Sequence, residues 1–180
     1  MDNQHIENKV KRWLESVVIR YNFCPFAKKP FKQNKIRFIT SKATAAEILV
    51  DDLIDELLLL SQVDIEEIET SIVIAPEIFS DFDEYNQFGA VLDQLISSLK
   101  LQGIIQIATF HPDYQFADLS PDDVRNYTNR SPYPLFHLIR EDSVEKARAV
   151  YADIEDIPTK NMDKLEQMGL EKIRNEIKKL

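Results

Sequence analysis

Glu69-Thr70-Ser71-Ile72-Val73-Ile74-Ala75, stopped by Pro76, decides how this chain folds. Ile72, Val73 and Ile74 are consecutive β-branched apolar residues. A short apolar run bounded by a breaker is the pattern of a buried strand. Before it, Leu49, Leu53, Leu57 and Leu60 share one face of a helix that runs to about Ser61. Thr44-Ala45-Ala46-Glu47 has the spacing of a capping box at its start, where hydroxyl and carboxylate would satisfy free backbone donors. After the strand, Asp81 with Glu84 three residues on caps a second helix. Tyr85, Phe88, Leu92, Leu95 and Leu99 lie on its buried face, and Gly103 fits its C′ position. A buried strand between two helices is the repeating unit of an α/β protein.

Working outward, Lys35 to Thr40 and Ile104 to Phe110 read as further strands, the latter stopped by His111-Pro112. Leu135 to Arg140 reads as a fourth. Ile6, Val10, Trp13, Leu14, Val17, Val18 and Tyr21 place one amphipathic helix over about residues 3–20, and residues 22–34 form a loop. Asp142 caps a short helix, Pro158-Thr159 opens another that Gly169 interrupts, and a charged helix ends the chain. The expected fold is α/β: a four-stranded mixed sheet layered with helices, with an N-terminal amphipathic helix and C-terminal helices, in one domain over 1–180. With the first three strands parallel, their C-terminal ends share an edge at which an antiparallel fourth begins. Ligands of open α/β sheets lie beyond such ends, so His111, the loop 111–133 and Pro134 are expected to crowd a site there.

Composition narrows the function. The 180 residues are 44% hydrophobic and 29% charged, which excludes a disordered chain. A lone cysteine, Cys24, excludes a disulfide framework and a Cys-rich zinc module. The three glycines, Gly89, Gly103 and Gly169, cannot build a Gly-rich phosphate cradle, and no G-x-S-x-G elbow exists. No apolar run approaches the roughly 18 residues of a membrane span, and Met1-Asp2-Asn3-Gln4-His5 lacks a secretory pattern. No membrane association and a cytoplasmic location are therefore expected. The net charge of −9 argues against general nucleic-acid binding. Residues 1–40 nevertheless carry nine Lys/Arg against three Asp/Glu, while residues 41–100 carry two against fourteen. The basic group Arg20, Lys28, Lys29, Lys32, Lys35 and Arg37 surrounds Cys24. It reads either as a solvated loop facing the acidic helix that follows or as an anion site.

The segment 111–133 is the main anomaly, because structureless loops beyond about 12–15 residues are usually functional or disordered. This one is rich in aromatic and polar residues. Tyr114, Arg125, Asn126, Tyr127 and Arg130 are candidate substrate-binding residues, the arginines for an anionic small molecule. The alternative is a loop whose polar side chains satisfy its own backbone. Cys24, His111 and Asp113 are the candidate catalytic residues. Nearby cations would favour a Cys24 thiolate, although Cys24 equally suits a small buried position between Phe23 and Phe26. His111 would act as a base or ligand oriented by Asp113, or as a hydrogen-bonded turn residue. His137, mid-strand, reads as a satisfied core histidine. A metal site from Cys24, His111, His137 and Asp113 has no supporting spacing, so metal and cofactor stay unknown. If the 22–34 loop folds over the strand edge, Cys24 should come within roughly 10 Å of His111 or Asp113; thirteen residues reach far enough. The two functional readings are a small-molecule enzyme with a Cys/His site under the loop, and a non-catalytic protein using the loop as a rigid ligand- or partner-binding surface.

Four stretches carry a resemblance: Asn22-Phe23-Cys24-Pro25-Phe26-Ala27, Phe110-His111-Pro112-Asp113-Tyr114-Gln115-Phe116-Ala117, Asn126-Tyr127-Thr128-Asn129-Arg130-Ser131-Pro132-Tyr133-Pro134, and His137-Leu138-Ile139-Arg140-Glu141. Together they resemble a mainly bacterial family catalogued as a domain of unknown function, number fourteen-fifteen. The resemblance implies a single-domain cytoplasmic protein and supplies no activity, cofactor or catalytic residue.

Overall fold

Strand β2 (Thr70–Ile74) is buried at every position, and the rest of the molecule is arranged around it. The computed structural model describes residues 2–150 and 156–180. β2 pairs in parallel with β1 (Ile36–Thr40) and antiparallel with β4 (Leu135–Arg140), which in turn pairs antiparallel with β3 (Ile105–Phe110). The sheet order is β1-β2-β4-β3. The mixed α/β sheet is thus present, with β1, β2 and β3 pointing one way and β4 the other.

Side chains alternate across the sheet, and two cores result. Val73, Ala75, Phe136, Leu138 and Ile105 face helix α3 (Ala46–Gln62), whose Leu49, Leu53, Leu57 and Leu60 are fully buried. Helices α4 (Phe82–Gln87) and α5 (Gly89–Ser98) complete that layer. Ile72, Ile74 and Leu135 face the opposite layer, made of α1 (Asn3–Trp13), α7 (Ile157–Met168) and α8 (Leu170–Lys178). Helix α6 (Glu141–Val150) follows β4 directly, and the short α2 (Lys28–Lys32) lies inside the expected 22–34 loop.

Several expected details differ. The N-terminal helix does not run as one α-helix to residue 20. After Trp13 it widens into a π-helical stretch, Leu14–Ile19, marked by the i→i+5 bonds from Arg20 N to Glu15 O and from Phe23 N to Val18 O. The Thr44 capping box does not form, because Ala45 occupies the N-cap. The approach to α3 is held instead by Ser41, whose hydroxyl donates to Asp52 and accepts from Ala43 N. Asp81 does cap α4, accepting from Asp83 N and Glu84 N, but the helix breaks at Phe88. Asp142 lies inside the first turn of α6 rather than capping it. The 111–133 segment contains a 3₁₀ turn, Val124–Thr128, capped by Asp123.

Candidate functional site

The strand face toward α1 and α7 is only partly covered. Alternate residues floor the gap: Thr70 and Ile72 on β2, Leu135, His137 and Ile139 on β4, and Gln106, Ala108 and Phe110 on β3. His137 pairs with Ile72 on one side and Ala108 on the other. The small Ala108 leaves room beside the imidazole. Trp13, Leu14 and Val18 of the first helix, Phe23, Cys24, Phe26 and Ala27, residues of α6 and the start of α7 wall a pocket of about 500 Å³. Its position over the sheet face, not beyond the strand ends, follows from helices that pack against β1 and β2 and leave β3 and β4 less covered.

The pocket wall is mainly apolar, with a few polar atoms whose states the bonding fixes. Thr70 Oγ1 lies 2.6 Å from Leu138 O and 2.7 Å from His137 Nε2. A hydroxyl has one proton, and two oxygens that close without a hydrogen between them would repel. Thr70 therefore donates to the carbonyl and accepts from His137 Nε2–H. Nδ1 is then left with a lone pair that no described residue engages. Burial pushes the His137 pKa down to about 4, so the ring is neutral at pH 7. The indole N–H of Trp13 and the hydroxyl of Ser143 are buried and unpartnered among the described residues, and both residues line the pocket. Asn161 is held by its amide, which donates to Phe23 O at 2.7 Å.

Cys24 also lines this pocket. Burial raises its thiol pKa, outweighing the lowering effect of the Phe26 and Ala27 amides. The basic group does not generate a thiolate here. Lys35 reaches Glu66 and Arg37 reaches Glu56, while Lys28, Lys29 and Lys32 point to solvent.

The expected meeting of Cys24 with His111 does not occur. Phe110 faces Trp13, with ring centroids 5.7 Å apart, so alternation turns His111 to the other side, against Phe82 and Tyr85. Both its ring nitrogens are used: Nδ1 accepts from Asp113 N at 3.0 Å and Nε2 donates to Phe79 O at 2.9 Å. It is the backbone of Asp113, not its carboxylate, that bonds the ring. Burial lowers the His111 pKa.

The remaining candidates hold the loop together. Asn126, fully buried, accepts from Phe116 N and donates to Ser120 O. Arg125 pairs with Asp123 and Glu166, and Arg130 donates to Tyr114 O and Pro121 O while stacking over Tyr127. Tyr127 accepts from Arg174, and Tyr114 packs on Phe82 and Phe116. From this loop, Thr128 and Asn129 reach the pocket wall. Among the described residues no group of three His, Cys, Asp or Glu could hold a metal ion, and no helix is long and apolar enough to cross a membrane.

Trp13, Thr70, Ala108 and Ser143 were not among the sequence candidates. The available signal was periodic: Thr70, Gln106 and His137 are polar residues on strand faces that are otherwise apolar at every second position.

Fold and pocket together define an α/β protein with a single-faced cavity over its sheet. The chain matches the family described as Protein of unknown function (DUF1415) over residues 5–175, and it belongs to that family. Neither a curated protein nor a solved structure matches it.

Proposed function

We propose that this protein binds a small, mainly apolar molecule on the β3–β4 face of its sheet. The observation that carries this reading is the pocket of about 500 Å³, whose mainly apolar wall includes His137, with an Nδ1 that no described residue engages. Ligand sites are typically concave, mostly apolar, about 300–1,000 Å³ in size, and furnished with a few oriented polar groups. A reading as a thiolate centre has less support, because Cys24 is a desolvated thiol and His137 a neutral ring.

The test uses N-phenyl-1-naphthylamine, an uncharged dye that brightens in apolar surroundings. The native protein should take up one dye molecule with micromolar affinity. Ala108→Phe should fill the space beside His137 and weaken uptake at least tenfold, while keeping a cooperative thermal melt. Dye uptake that is absent, or unchanged in a folded Ala108→Phe protein, would overturn the proposal.

A further inference from the structure

The polar atoms of the pocket, taken with their positions along the strands, specify the chemistry of the ligand beyond its size. This step rests on the binding reading above. From Leu135 to Ile139 the floor of the pocket spans four residue steps, about 13 Å at roughly 3.3 Å each. His137 stands at the midpoint. Trp13 marks one end, because it packs on Phe110, which pairs with Leu135. Ser143 marks the other, because α6 begins immediately after β4.

Charge is scarce among the described residues of the wall. Glu69 and Arg148 are the only charged residues lining the pocket among those described, they are of opposite sign, and Arg148 bonds Glu145. An ion placed between Trp13 and His137 would lose its hydration without a counter-charge, which is costly. A neutral molecule avoids that cost.

The central contact is fixed by connectivity. Leu138 O accepts from Thr70, Thr70 accepts from His137 Nε2–H, and Nδ1 can only accept. An acceptor in an apolar wall discriminates in favour of a ligand that brings a proton to it. Ligands with an acceptor alone leave two lone pairs facing each other.

We infer that the pocket selects an uncharged, two- or three-ring apolar molecule bearing a hydroxyl group, an alcohol or phenol, which donates to His137 Nδ1. Thr70 is the positioning residue that holds the imidazole in the accepting tautomer.

Calorimetric titration with three probes tests this: 2-naphthol, 2-methoxynaphthalene and naphthalene. 2-Naphthol should bind about tenfold more tightly than either of the others, the worth of one buried hydrogen bond to a neutral acceptor. His137→Phe should reverse that order, because the hydroxyl then has no partner. In the unliganded protein, ¹⁵N spectra should show His137 protonated at Nε2 and bare at Nδ1. Thr70→Val should mix the two tautomers and reduce the preference for 2-naphthol. Naphthalene binding as well as 2-naphthol would overturn the hydroxyl assignment and leave the apolar pocket standing. So would an unchanged preference in His137→Phe. Binding of none of the three would overturn both readings. If His137→Phe fails to fold, the tautomer in the native protein decides, and a ring protonated at Nδ1 overturns the inference.

Discussion

Phe79 sits at φ 60°, a left-handed conformation that bulky side chains avoid. Its carbonyl accepts the Nε2–H of His111, and its ring packs on Tyr85 and Phe88. A strained residue persists where its surroundings over-determine it, and His111 supplies part of that constraint. The histidine beside Pro112-Asp113 is thus a strut between two chain reversals. Cys24 is set by its surroundings in the same way. Desolvation raises its pKa, so less thiolate is present at pH 7 than the few per cent of a free cysteine. Iodoacetamide should therefore alkylate it roughly tenfold or more slowly than glutathione at pH 7, and the difference should vanish in guanidinium. Native alkylation faster than glutathione, measured by intact mass against time, would show an activated thiol and contradict the desolvated site described above.

Elements were legible wherever one local rule decided them. The leucine stripe of α3, the capped start of α4 and all four strands follow from periodicity and punctuation. Their ends depend on backbone geometry that composition only suggests. Gly103 has the residue type expected at C′, yet α5 ends earlier, at Ser98, with Leu99 as C-cap and Lys100 at φ 57°. Lys100 N bonds Ser97 O and Leu101 N bonds Ile96 O, the paired bonds of a Schellman ending. Leu101 is buried, and its burial fixes where the helix must stop. A lysine in the left-handed region carries a steric penalty of about 1–2 kcal/mol that glycine lacks, partly offset by glycine's larger unfolded-state entropy. Lys100→Gly should therefore stabilise by about 0.5 kcal/mol and raise Tm by about 1–2 °C. A lower Tm in calorimetry would mean that the lysine stem contributes packing that the backbone gain does not match.

At the scale of the whole molecule, the two faces of the sheet differ. One is sealed by α3, α4 and α5; the other is left partly open over β3 and β4, where His137 lies. Neither the pocket nor the separation of Cys24 from His111 was legible in the sequence. Both arise from which face each strand residue takes and from how much of that face distant helices cover. The same layering makes stability depend on acid. His137 has its pKa lowered to about 4 by burial, and His111 is lowered by burial against the α4 side. An unfolded histidine titrates near 6.5. Below that value the unfolded chain binds protons that the native rings refuse, so the unfolded state gains. The contribution of each ring is complete above about pH 6.5 and is lost as pH falls toward its native pKa. For His137 the loss proceeds at up to about 1.4 kcal/mol per pH unit, roughly 3 kcal/mol by pH 4. Asp123, held near 2 by Arg125, contributes its own loss only below its unfolded value of about 4. The interval between pH 6.5 and 4.5 therefore belongs to the histidines. Urea unfolding at half-unit steps should show stability falling across that interval, and His137→Phe should remove about half or more of the slope. A flat profile from pH 6.5 to 4.5 in the native protein would mean that His137 is protonated in the folded state, with Nδ1 carrying a proton rather than a lone pair.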